Sequence, residues 1–305
     1  MTTPPLFLAG PGALDRLAAG DSFVLDGDEG RHAATVRRIR AGERLDVADG
    51  EGRVARCEVA AAARDRLELA VLALDDLPPP SPAFVLAQAL AKGGRDEQAV
   101  ETATELGVDA VVPWQASRSV VRWEGERGEK ARRRWAATAR EAAKQSRRPR
   151  VPAVADAVTT AGLAARAADA ALTLVLHEAA TRPLAGVELP AAGEVLVVVG
   201  PEGGIAAEEL AALTEAGGVA VRLGGEVLRA STAGPAALAV LAARTGRWGV
   251  GRGPGSASSP ATPGRPPRRW PRCPASRSPC TCPAAAGARC RTSTSRRRTR
   301  PRCRW

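Results

Sequence analysis

The segment Glu194–Ala233 constrains the fold of this chain more than any other. It opens with an unbroken apolar run, Val195–Val199. A strand without polar alternation is covered on both faces, which places this one inside a parallel sheet. The run ends in Gly200-Pro201-Glu202-Gly203-Gly204. An amphipathic helix is predicted near Ala207–Ala216, then a short strand over Gly218–Leu223. A second glycine turn leads into Val227-Leu228-Arg229-Ala230-Ser231-Thr232-Ala233. Two glycine-rich loops that each follow a parallel strand meet at the carboxyl edge of an open sheet, where such sheets bind small molecules.

The rest of the chain agrees with that frame. From Ala83 to Trp248 the pattern alternates strand and helix: strands at Ala83–Leu90, Ala110–Trp114 and Leu172–His177, and helices at Arg95–Leu106, Gly128–Arg147 and about Gly234–Arg244. Such alternation predicts an α/β fold with a mostly parallel sheet. The first 77 residues read differently. Short strand-like runs at Ser22–Leu25, Arg44–Ala48, Arg53–Val59 and Arg66–Leu74 are broken by turn signals, with Asp49-Gly50-Glu51-Gly52 as a hairpin turn. Several short strands in so few residues predict a small barrel. The prolines of Leu77–Pro82 predict a stiff linker, so domains are expected at 1–77 and 83–248.

Net charge misleads here. The chain carries +11, but residues 251–305 hold 14 of the 44 basic residues and no acid. The body is left with 30 basic against 33 acidic residues. Five of the six cysteines also crowd this tail, leaving Cys57 alone in the body, as expected in a reducing compartment. The tail has no Val, Ile, Leu, Phe or Met and cannot build a packed core. Residues 249–305 read as a disordered Arg/Pro/Cys-rich segment from out-of-frame or read-through translation of GC-rich DNA. An arginine-rich RNA-binding arm is the alternative. Cys280 and Cys282 match no zinc pattern, so no metal is expected. No run approaches a membrane span and no signal segment is evident, so a soluble cytoplasmic protein is expected.

The turn after Val199 is neither a dinucleotide fingerprint nor a P-loop. Alone it is a strand-to-helix turn of any α/β protein. Its neighbours add meaning: Glu209-Leu210, Leu223-Gly224, Val227-Leu228-Arg229 and Ser231-Thr232-Ala233 follow in order. Upstream stand Lys92-Gly93 with Arg95, Ala103–Val108, Ser117–Val121, Glu141–Ala143, Gln145-Ser146, Arg148 and Pro152. In the first region stand His32, Val36-Arg37, Gly42 and Asp49-Gly50. In that order these blocks resemble the 16S ribosomal RNA uracil-N3 methyltransferases, within the knotted SPOUT class. The resemblance covers about Phe7–Trp248.

The resemblance implies a PUA-like RNA-binding barrel followed by an α/β domain whose C-terminal segment is threaded into a trefoil knot. It implies a homodimer that binds S-adenosyl-L-methionine and methylates N3 of one uridine, at position 1498, of 16S rRNA in the small ribosomal subunit. The cofactor loops map to Leu176, His177 and Glu178, to Gly200, Pro201, Glu202, Gly203 and Gly204, and to Leu223–Ala233. Leu223 and Leu228 would face the adenine, and Gly224, Ser231, Thr232 and Ala233 would bind nearby. Arg229 is assigned to the anion that develops on the uracil. A phosphate contact, or an ion pair with Glu202 or Glu226, is its alternative. Glu202 would orient the substrate amide or accept a proton, or cap the next helix. Another RNA target, and an RNA-binding protein without cofactor, are the competing functions.

RNA contact needs local positive charge. Arg31, Arg37, Arg38, Arg40 and Arg44 form one cluster, and Arg127–Arg150 carries ten basic residues against two acids. His32, Arg37, Arg38, Arg118 and Arg148 are the expected RNA contacts, with a solvated helix face as the alternative for the second cluster. Trp114, Trp123 and Trp135 are expected in the core or an interface. His177 and His32 are expected to be structural.

Overall fold

A computed structural model describes residues 4–249 of the chain. The arginine- and cysteine-rich segment beyond them lies outside the described residues.

The N-terminal part builds one sheet. Its strands are β1 (Leu6–Leu8), β2 (Ser22–Leu25), β3 (Arg44–Ala48), β4 (Arg53–Ala62) and β5 (Leu67–Asp76). Their order is β1-β3-β4-β5-β2. Pairing is antiparallel except for β1 beside β3. Alternation supplies the core: Leu45 and Val47 face Cys57 and Ala55, while Leu67, Leu69 and Val71 point the same way from β5. Two irregularities in β4, after Arg56 and after Val59, bend the ladder. The expected barrel thus takes the form of a curled sheet with β1 and β2 at its edges. The β3–β4 turn is tied by Asp49, whose Oδ1 accepts from the backbone N–H groups of Glu51 (2.7 Å), Gly52 (2.9 Å) and Arg53 (3.1 Å).

A short helix α1 (Gly27–Arg31), running into a π-helical turn over His32–Val36, was not anticipated. Tertiary packing explains it. A Cβ at Gly30 would overlap the Leu25 carbonyl and stand 2.8 Å from that of Asp65, so only glycine lets this turn lie against the sheet.

The second sheet has six parallel strands: β6 (Ala83–Ala89), β7 (Ala110–Trp114), β8 (Ala153–Val154), β9 (Leu172–Leu176), β10 (Glu194–Val199) and β11 (Val219–Val221). Their order is β11-β9-β10-β6-β7-β8. The helices are α2 (Arg95–Glu105), α3 (Gly125–Gln145), α4 (Thr160–Asp169), α5 (Ala207–Glu215) and α6 (Ala230–Arg244). Val195, Val197 and Val199 of β10 pack with Phe84 and Leu86 against residues of α2, α3 and α6. Leu196 and Val198 pack on the opposite face with Leu163 of α4 and Leu213 of α5. The central strand is therefore covered on both sides, as its unbroken apolar run required. The first crossovers carry the chain from β6 to β7 and β8. It then returns to β9 and β10 on the other side of β6, and a crevice forms at the carboxyl ends where that direction changes.

Helix α3 also holds the two sheets together. Arg140 Nη2 donates to the Leu8 carbonyl at 2.7 Å, and Lys144 Nζ sits 2.6 Å from Glu29 Oε1. Just beyond the helix, Arg150 donates to the Leu77 carbonyl, and the Val151 amide donates to Gly50 at 2.9 Å. Part of the cationic run expected to face RNA is thus used in docking the N-terminal sheet.

Among the described residues no helix is long and apolar enough to cross a membrane.

Candidate active site

A cleft of about 610 Å³ opens at the carboxyl ends of β9, β10 and β11. This lies within the range of small-molecule sites, roughly 300–1,000 Å³. Three loops line it. Leu176, His177 and Glu178 follow β9; Gly200–Ile205 follow β10; Arg222–Arg229 follow β11, with Ala230 and Ala233 from the first turn of α6. Most of the expected cofactor residues therefore converge. Leu176, His177, Gly200, Pro201, Glu202, Gly203, Gly204, Leu223, Gly224, Leu228 and Ala233 all face the same space, as does Arg229.

The backbone explains the glycines. At Gly200 a Cβ would stand 2.6 Å from Ile205 Cγ1, so the chain passes Ile205 only because no side chain is there. The Gly204 amide closes a turn on the Pro201 carbonyl at 2.9 Å, with Gly204 at φ +75°. On the β9 side, the His177 amide donates to Val221 (2.9 Å). Its ring Nδ1 accepts from the Ala179 amide (3.2 Å), a local structural role.

Ser231 and Thr232 depart from expectation. Helix α6 starts at Ala230, four residues before the predicted Gly234, so both residues belong to its first turn. Ser231 is buried there and Thr232 is exposed, and neither lines the cleft.

Charge gathers at the mouth. Arg95, Arg118, Arg222 and Arg229 stand against Glu178, Glu202 and Glu226. Glu202 pairs with Arg95, Oε1 to Nη1 at 3.0 Å, and Arg229 makes no salt bridge among the described residues. Glu202 is thus engaged by Arg95 rather than by Arg229. Arg118 Nη1 donates to the Gly203 carbonyl at 3.0 Å.

The expected RNA contacts separate. Arg37 and Arg38 are exposed on the segment after the π-helical turn, beside exposed Arg31 and Arg40. His32 is half-buried, its ring 6.2 Å from that of Phe7. Arg148 is a correction. Its Nη1 donates to Thr104 O at 2.6 Å, and Nη2 lies 3.7 Å from Asp109, with the side chain only 16% exposed. It is a core cation, not a free phosphate contact. Trp114 and Trp135 are buried, and Trp123 packs edge-on against Trp135 at 4.9 Å. Among the described residues no group of three or more His, Cys, Asp or Glu side chains is arranged to hold a metal.

Two residues of consequence were matched in the sequence without a role. Arg95 turns out to hold Glu202. Glu209 carries a recognisable signal, an acid three residues past a helix start, but its partners lie far along the chain. Its carboxylate accepts from Thr160 Oγ1 (2.7 Å), Ser117 N (2.8 Å), Ser117 Oγ (2.9 Å) and Ala206 N (3.2 Å). Burial pushes this carboxyl up, but the hydrogen bonds from Thr160, Ser117 and Ala206 outweigh it, and the net pKa is lowered. A carboxyl with a depressed folded pKa adds stability above its unfolded pKa and loses it as pH falls through the folded value. The melting temperature of the native protein is therefore expected to drop more steeply below about pH 4.5 than that of Glu209→Gln. Thermal melts between pH 7 and pH 3 check this; parallel curves would contradict it.

Residues 79–242 match the RNA methyltransferase domain family, and residues 25–72 match the RNA methyltransferase PUA domain family. The chain is 52% identical over 233 residues to the ribosomal RNA small subunit methyltransferase E of Mycobacterium bovis, covering 75% of this chain and 89% of that protein. It is 33% identical over 232 residues to the protein of that name from Bacillus subtilis, covering 73% and 91%. Among solved structures, the Neisseria gonorrhoeae ribosomal RNA small subunit methyltransferase E bound to S-adenosyl methionine superposes with a TM-score of 0.68. It shares 27% identity, with 79% of this chain and 98% of that one covered.

Proposed function

We propose a specific reaction for this chain, which belongs to the ribosomal RNA small subunit methyltransferase E family and is an S-adenosylmethionine-dependent rRNA methyltransferase. The reading is that it methylates N3 of one uridine, position 1498 of 16S rRNA. The observation that carries the cofactor part is the cleft itself. Residues of three loops line it, and Gly200, where a side chain would collide with Ile205, lets the turn after β10 fold tightly at its rim.

When bound, S-adenosylmethionine supplies an activated methyl group. The residues present fit such a group: the Gly200–Gly204 turn and the Leu223–Leu228 segment would hold it through backbone contacts, with Leu223 and Leu228 offering apolar faces. The chain's remaining task is to orient the uracil and stabilise the anion left when its N3 proton departs. Arg229, exposed at the mouth and free of a carboxylate partner, is suited to that anion. Glu202, held by Arg95, is suited to orient the uracil amide. Exposed Arg37, Arg38 and Arg118 are suited to phosphate, and half-buried His32 stands beside the first two.

The threaded C-terminal topology and the homodimer belong to this reading. For the first, Arg222 exchanges backbone hydrogen bonds with Arg182 (3.0 Å) and Leu184 (2.9 Å) on one side, while α6 leaves to pack on α2, β6 and β10. For the second, Val227, 76% exposed, and Leu228 present apolar surface at the cleft, and Val120, equally exposed, presents more in the loop after β7. Domain limits at 1–77 and 83–248 and a cytoplasmic location complete it.

Small subunits from a strain lacking the gene, incubated with this protein and S-adenosylmethionine, are expected to gain 3-methyluridine at that one position by mass spectrometry. Methylation at another nucleotide, or none, overturns the reading.

A further inference from the structure

Glu209 lies in the first turn of α5 and is 6% exposed. One of its four hydrogen bonds, from the Ala206 amide, is the local contact that a glutamate makes at a helix start. The other three leave the helix. They reach Thr160 at the start of α4 and both the amide and the hydroxyl of Ser117, in the loop after β7. Thr160 in turn accepts from Trp114 Nε1 at 3.2 Å.

That loop is braced from within as well. Arg122 donates to the carbonyls of Ala116 and Ser117, each at 3.1 Å, and the Trp123 amide donates to Gln115 Oε1 at 3.1 Å. What the loop presents outward is Arg118. Its guanidinium bonds the Gly203 carbonyl, and its own Cβ would sit 3.2 Å from a Cβ placed on Gly203. A closed circuit results. The turn after β10 is clamped by Arg118, Arg118 is carried by Ser117, Ser117 is held by Glu209, and Glu209 stands six residues beyond Gly203 on the helix that the turn feeds.

We propose that Glu209 is a positioning residue for methyl transfer, fixing the Ser117–Arg118 backbone so that the Arg118 guanidinium stands over Gly203 at the mouth of the cleft. This rests on the reading that the cleft takes cofactor and RNA. A carboxylate suits the role because it accepts on every side, and here every donor faces inward. A glutamine has one acceptor oxygen, and its amide nitrogen would confront donors. The expected defect is therefore misplacement of Arg118 rather than loss of the cofactor turn, whose own bond from Gly204 to Pro201 is untouched.

The test is a double-mutant cycle on methylation of small subunits, with S-adenosylhomocysteine binding measured beside it. Glu209→Gln and Arg118→Ala are each expected to lower kcat/KM for RNA roughly 10- to 100-fold, the scale of a misplacement near 1 Å. The double variant is expected to be no slower than the slower single one. Affinity for S-adenosylhomocysteine should stay within about 3-fold in all three, since the cycle acts on RNA orientation. Multiplying defects, or a cofactor affinity that falls with the rate, would overturn the proposal. Amide hydrogen exchange on the cofactor-free protein keeps it falsifiable if the native protein proves inactive on rRNA. Glu209→Gln should speed exchange at residues 116–119 but not at Gly204 or in β10, and unchanged protection at 116–119 refutes the proposal by itself. Should Glu209→Gln fail to fold, Ser117→Ala removes only the hydroxyl contact and enters the same cycle.

Discussion

Gly200→Val is expected to abolish measurable S-adenosylhomocysteine binding in a protein that still folds. The first added carbon would already stand 2.6 Å from Ile205 Cγ1 and 3.3 Å from the Ile205 amide. Ile205 is buried in the cluster that contains Val198 and Leu213, so it has little room to retreat. The strain therefore passes into Pro201–Gly204, the turn whose main chain faces the cleft. Overpacking of this kind costs about 1–3 kcal/mol, against about 5–15 kcal/mol of total stability for a typical protein. Binding suffers more, because displaced amides no longer meet their partners. A loss beyond about 100-fold, near 2.7 kcal/mol, is expected for valine and roughly 10-fold for alanine. Calorimetry with S-adenosylhomocysteine, alongside a thermal melt, reads both effects. Valine at 200 with native affinity would remove this turn from the cofactor site.

The turn was legible because its meaning is local. An unbroken apolar strand, a glycine cluster and a helix follow one another within a few residues, and β10 begins only one residue before its predicted start. Short elements were not legible. β1 has three residues and finds its partner at Asp46–Ala48, about 40 positions away, so no periodicity announces it. Helix α4 went unmarked in the sequence: five of its ten residues are alanine, and Leu163 is its one large apolar side chain. α6 was placed late because Ser231-Thr232 resembles a helix cap, whereas Arg229 occupies that position without any side-chain bond. The cations after Arg127 show the deeper limit. A linear sequence displays the sign of a charge but not what stands opposite it. Arg140, Lys144 and Arg150 meet the N-terminal sheet, and Arg148 meets Asp109. For the same reason Glu202 and Arg95 could be named in the sequence while their pairing could not.

Asp109→Ala is expected to be strongly destabilising, costing about 3–5 kcal/mol, the usual effect of removing one member of a buried ionic cluster. Asp109 Oδ2 accepts from the Phe84 amide (2.7 Å) and from Arg247 Nη2 (2.7 Å), while Oδ1 faces Arg148. The three side chains are 14–16% exposed. Two guanidiniums share this carboxylate. The pKa of Arg148 is lowered to about 10, chiefly by burial, with the charge of Asp109 opposing the shift and that of Arg247 adding to it. Removing Asp109 leaves two half-desolvated cations facing each other and the Phe84 amide without an acceptor. The effect should propagate, because Arg247 also donates to Gly107 O (2.9 Å) and lies 3.7 Å over the Phe84 ring. It thereby pins the C-terminal end of α6, whose first turn lines the cleft. For a domain of this size such a loss lowers the melting temperature by roughly 6–20 °C. Asp109→Asn, which keeps an acceptor for Phe84, should cost about half as much. The cause can be separated from simple truncation by adding Arg247→Met, which retains the aliphatic stem over Phe84 and removes one stranded charge. If unpaired charge is responsible, the double variant melts above Asp109→Ala alone. A double variant that melts lower would assign the loss to packing and hydrogen bonds instead.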